Sequence, residues 1–240
     1  MNKRSMIGAI AALSVSGIVA LISGSIRRKK EVIGYNSGPV KAPIGPENCR
    51  KAIVANCLAC EGIEAANPAT LAMFEEILGE PPNGVIAWRE LLKKPYGQGG
   101  ISTCALFAEG IYRRVGCDLE DLRKPYIVPM ALSRFLVYAR RKGALMKPDG
   151  VSLPKRGDYV VIGDASTNSL HVLIPIQDVT DRCVSVDGGQ VGPSGLQAIY
   201  RVERSASPTM IGKRPIYQWV DAEKVGYLGS GLVPEGWKGV

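Results

Sequence analysis

Two residues in this 240-residue chain have the types and setting for covalent chemistry: Cys104 and His171. A thiolate is a strong nucleophile, and an imidazole is the side chain best suited to take and return its proton near neutral pH. His171 is the only histidine, so a Cys–His couple has a single candidate base. Pro95, Gly97, Gly99 and Gly100 break regular structure ahead of the cysteine. Ser102 and Thr103 are N-cap candidates and Gly116 a C-cap candidate. Between them Cys104, Ala108, Ile111 and Val115 recur at helical spacing, which puts the thiol on the buried face of a first turn. The open N–H groups and the dipole of a helix start favour a thiolate there.

The elements that must hold these two groups fall into two textures. Helices come first. Cys49, Ile53, Cys57 and Cys60 share one helical face, and Cys57-x-x-Cys60 reads as a pair of small buried side chains, since no second such pair supplies the rest of a zinc site. A helix over Pro68–Leu78 follows Asn67, another is expected around Val85–Lys93, and one over Pro129–Lys142 comes after the Cys104 helix. Strands come next. Tyr159–Ile162, Ser169–Ile174, Arg182–Asp187 and Gln197–Val202 are short β-branched runs separated by turns, the pattern of an antiparallel meander. Ile216–Val220 is a candidate further strand. The expectation is an α+β fold, with N-terminal helices, the nucleophile at a helix N-terminus, packed on an antiparallel β-sheet.

Charge and hydropathy limit the function classes. The net charge is +8, but six of the 30 basic residues precede Glu31 and all 22 acidic residues follow Lys30. The body is therefore nearly neutral, and nucleic acid is not an expected partner. The basic flanks enclose Ser5–Ile26, 22 residues without a charge, long enough to cross a bilayer as a helix. Residues 1–30 thus read as a membrane anchor or signal segment. The heavier positive cluster after the segment predicts a body on the cytoplasmic side; a cleaved segment and a secreted body is the alternative. Residues 31–46, rich in Gly and Pro, read as a linker, 47–205 as the folded domain and 206–240 as a C-terminal extension.

Two motifs carry a resemblance to a known family. Pro95-Tyr96, Gly99-Gly100, then Cys104 opening a helix that ends in Tyr112-Arg-Arg-Val-Gly116 resembles the nucleophile motif of NlpC-type papain-like cell-wall peptidases. Leu153-Pro-Lys-Arg-Gly-Asp158, a strand, and then His171-Val resembles that family's second signature. Thr103-Cys-Ala-Leu106 departs from the usual Asp-Cys-Ser-Gly, and His171-Val-Leu173 from His-Val-Gly. The resemblance implies a papain-like core and a cysteine hydrolase that cleaves an amide bond, with peptidoglycan stem peptides as substrate and no cofactor or metal.

In that mechanism Cys104 attacks a carbonyl and His171 serves as base, then as acid. Asp187, ending the strand after His171, is the first candidate to orient the imidazole, and Gln190 the second; Asp187 also fits a turn residue opening Gly188-Gly189. The Cys104 N–H is one oxyanion donor. Tyr96, matching the family's tyrosine before the nucleophile, and Gln98 are candidates for another, though Tyr96 equally suits a core aromatic. A thiol acyltransferase would use the same residues, and a non-catalytic adaptor or virion component would keep only the fold.

Overall fold

The computed structural model describes residues 39–79, 90, 92, 94, 103–119, 131–167 and 169–237. The apolar segment 5–26, the loop with Tyr96 and Gln98, and all of the helix expected around 85–93 except Glu90 and Leu92 lie outside them. Among the described residues no helix is long and apolar enough to cross a membrane.

The chain enters as strand β1 (Val40–Pro43), so part of the expected linker is ordered backbone. Asn48 then accepts from the Gly45 N–H and starts helix α1 (Cys49–Ala59). Helix α2 (Pro68–Leu78) begins as its residues dictate: Asn67 accepts from the Ala69 N–H, and proline, which needs no donor there, takes the first turn. Helix α3 (Cys104–Arg114) crosses α2 at Gly110, where a Cβ would sit 2.0 Å from the Ile77 carbonyl oxygen, so only glycine permits the approach. Arg113 donates to the Ile77 carbonyl and caps the end of α2. Helix α4 (Ala131–Arg141) stacks Phe135 on Tyr159, with ring centroids 4.4 Å apart.

Strand β2 (Leu145–Met146) leads to β3 (Tyr159–Asp164), β4 (Ser169–Pro175), β5 (Arg182–Val191), β6 (Gln197–Ser207), β7 (Met210–Ile211), β8 (Arg214–Val220) and, after a 3-10 turn at Ala222–Lys224, β9 (Ser230–Val233). Neighbours run β8-β3-β4-β5-β6-β7, and β7 pairs back onto β8, closing six antiparallel strands into a barrel. β2 is added outside β8, and β1 pairs with β9.

This corrects the expected fold class. Among the described residues the chain is mostly β, with a closed barrel and four helices, not a papain-like α+β core of helices on a sheet. The closure is made by residues read as a C-terminal extension: β7 and β8 lie beyond 205 and complete the barrel. Strand alternation separates two apolar regions. Val161, Val172 and Val186 face outward to the helices. Val160, Ile162, Leu173, Cys183, Ile211 and Trp219 form a second cluster on the opposite, inner face.

One buried cation joins helix to barrel. Arg50 of α1 is 9 % exposed and pairs with Asp158, Asp221 and Glu223, each at 2.6 Å. Asp158 also accepts from the backbone of Lys155 and Ala222, so the Leu153–Asp158 motif is a turn clamped onto α1. Burial pushes the Asp158 carboxyl up to about 6 against the pull of Arg50, leaving it ionised at neutral pH. Removing the cation would strand a buried carboxylate, so Arg50→Ala should cost about 3–5 kcal/mol in urea unfolding. A loss below about 1 kcal/mol would show that the network adds nothing.

Candidate functional site

Cys104 is the first residue of α3 and is buried, with 5 % exposure. Thr103 stands at the N-cap but does not cap the helix; its hydroxyl donates to Gln197 Oε1 on β6 at 2.8 Å. That bond ties the helix start to the barrel wall. The wall comes close because β5 carries Gly188 there: a Cβ would lie 2.5 Å from Phe107 Cβ. Gly188 and Gly189 fall in the bulge between Asp187 and Gln190, where β5 slips register against β6.

His171 sits near the start of β4, opposite Ile162 of β3, and its side chain is 14 % exposed. Cys104 lies near enough to act on its charge. The His171 Nε2 lies 2.9 Å from Asp187 Oδ2, which leaves Nδ1 as the ring nitrogen for the thiol. Asp187 is fully buried on β5. Ser185 donates to Asp187 Oδ1 at 2.6 Å, and Arg204 of β6 donates to Oδ2 at 2.6 Å. His171 alternates with Leu173, and Asp187 with Cys183 through Ser185, so this polar chain lies on the barrel's inner face at its junction with α3.

The structure thus brings together Cys104, His171 and Asp187. Gln190 lies past the bulge opposite Ala198, and Asp187 rather than Gln190 holds the imidazole. Tyr96 and Gln98 lie outside the described residues. The sequence reading missed Ser185 and Arg204. Period-two alternation offered a signal for Ser185, two residues before Asp187, whereas the strand expected to stop at Val202 ended short of Arg204.

Electrostatics set the charge state of the imidazole and the carboxylate. Burial alone would lower the His171 pKa, but its hydrogen bond to Asp187 and the neighbouring Cys104 outweigh burial and raise it to about 9. Burial pushes up the Asp187 carboxyl, yet the His171 bond and Arg204 charge more than compensate and hold it below the ordinary range. Burial drives the Cys60, Cys117 and Cys183 thiols to about 12, where they are inert. On the same helix as Cys104, Glu109 pairs with Arg134 at 2.5 Å, and the buried Tyr159 hydroxyl and Glu109 Oε2 have no hydrogen-bond partner. Among the described residues no group of His, Cys, Asp and Glu is placed to hold a metal ion.

No protein-family model matches the chain, and neither a curated protein nor a solved structure does. Nothing beyond the two motifs connects it to the NlpC-type peptidases.

Between about pH 6.5 and 9 the folded chain keeps on His171 a proton that the unfolded chain, with a pKa near 6.5, has already released. The stabilisation is complete below about pH 6.5 and lost as pH rises through about 9. Stability should fall across that window by roughly 3 kcal/mol at most. In Asp187→Asn the slope should flatten; an equal slope in the variant, measured by urea melts at several pH values, would assign it to another group.

Proposed function

We propose that this chain is a cysteine hydrolase that cleaves an amide bond through Cys104. The observation that supports it is Cys104, at a helix N-terminus, beside a His171 ring that Asp187 holds by a hydrogen bond. With the proton on His171, Cys104 acts as thiolate and attacks the carbonyl carbon. The oxyanion that forms is met by the N–H groups and dipole of the α3 start. His171 passes its proton to the leaving amine as the C–N bond breaks, leaving a thioester. Water then attacks the thioester while His171 takes a proton from it, which frees the acid and restores the thiol. Asp187 holds the ring in register and stabilises its cationic form.

The two motifs support a peptidoglycan stem peptide as substrate, and the uncharged segment 5–26 supports membrane attachment. A second reading has one observation in its favour: Cys104 is only 5 % exposed, as expected of a structural cysteine in a non-catalytic adaptor.

Alkylation of Cys104 against pH, mapped by mass spectrometry, separates the two. A hydrolase thiol should react well below pH 8 and slow markedly in His171→Ala. Cys104→Ala should then lower cleavage of a stem-peptide digest by about 10³-fold or more. A thiol that is inert in the folded chain, or that reacts identically in both proteins, selects the adaptor.

A further inference from the structure

His171 and Arg204 bind the same oxygen. The imidazole Nε2 is 2.9 Å from Asp187 Oδ2, and the guanidinium Nη2 reaches that atom at 2.6 Å, the shorter of the two. Arg204 Nη1 also donates to Ser185 Oγ at 3.0 Å, and Ser185 in turn donates to Asp187 Oδ1. A carboxylate that only orients an imidazole needs no guanidinium, since the ring and the serine already engage both oxygens. Arginine cannot be deprotonated in a protein, so its charge on the shared oxygen is permanent. It draws electron density away from the bond to His171 and repels the imidazolium across a buried carboxylate, where screening is weak.

We propose that Arg204 is a positioning residue that sets how tightly His171 holds its proton, by competing with it for Asp187 Oδ2. This rests on the Cys–His hydrolase reading. An imidazolium paired with an unshared buried carboxylate would hold its proton too firmly to deliver it to a leaving amine. The other groups that face this pair do not substitute for Arg204. Cys104 approaches from α3 and Cys57 from α1, while Cys183 and Ser185 lie on β5 itself. The Cys57 and Cys183 thiols are driven upward by burial and stay neutral, which leaves Arg204 as the permanent cation acting on Asp187.

Because His171 is the only histidine, its titration can be read without assignment. The full chain, labelled with ¹⁵N-histidine and purified in detergent without a polyhistidine tag, would be followed by NMR from pH 5 to 11. In Arg204→Met the ring midpoint should rise by about one pH unit, a tenfold change in the protonation equilibrium. Arg204→Lys, which keeps the charge, should return it close to wild type. The basic limb of the Cys104 rate against pH should move the same way. If the Met variant does not fold, Arg204→Gln, which keeps a donor and drops the charge, carries the same expectation. A folded variant whose midpoint is unchanged or lower overturns the proposal, because a purely structural arginine would affect melting alone. If His171→Ala leaves Cys104 alkylation unchanged, the hydrolase reading fails instead, and the NMR midpoint tells the two failures apart.

Discussion

A carboxylate with no exposed surface is costly unless every oxygen is answered, and Asp187 is such a group. Its answer comes from three strands. Ser185 lies two residues before it, His171 on β4, and Arg204 on β6. Each partner reaches it only because the strands turn the right face inward. A slip of one residue in any of them would carry that partner to the opposite side of the wall and leave a bare charge inside. The register of β4, β5 and β6 is therefore specified by charge as well as by apolar packing. The same requirement aims the imidazole at the start of α3.

Barrel closure and helix docking serve that geometry from outside. The inner face is apolar along most of its length, through Leu173, Trp219 and their neighbours, and polar at Ser185, Asp187 and Arg204. Gly188 lets helix and wall touch, and the Thr103–Gln197 bond fixes the helix start against β6. On another part of the molecule Arg50 joins α1 to the turn before β3 and to the turn after β8. Helices and barrel are thus joined by a buried cation, by the close contact at Gly188 and by the Thr103–Gln197 bond, and Cys104 takes its position from the last two.

Much of this was legible before any coordinates. The helical recurrence after Thr103 marked the Cys104 helix, and the β-branched runs marked β3 to β6, because both signals are local. The pairing of His171 with Asp187 could be read because adjacent antiparallel strands bring their residues together. Closure was not legible. It depends on β7, a strand of two residues, Met210 and Ile211, which no pattern in the sequence distinguishes from a turn. Arg50 was hidden for a related reason. It neighbours Cys49 on a helix whose cysteine face was read as the core, and its carboxylate partners lie more than a hundred residues away. Arg204 was missed because the strand carrying it was expected to end at Val202, two residues too soon. Contacts set by distant segments leave no periodicity to find.

The pairing of β1 with β9 gives the architecture another property. Val40 lies opposite Val233, so the described body begins and ends along one short ladder. Its connectivity is close to that of a ring with an arbitrary cut. A short bridge across that ladder, with a new opening in an exposed turn such as the one at Gly195, would give a circular permutant with every strand neighbour unchanged. The order of cysteine, histidine and aspartate along the chain is then a matter of where the ring is cut, while their meeting place is a property of the ring.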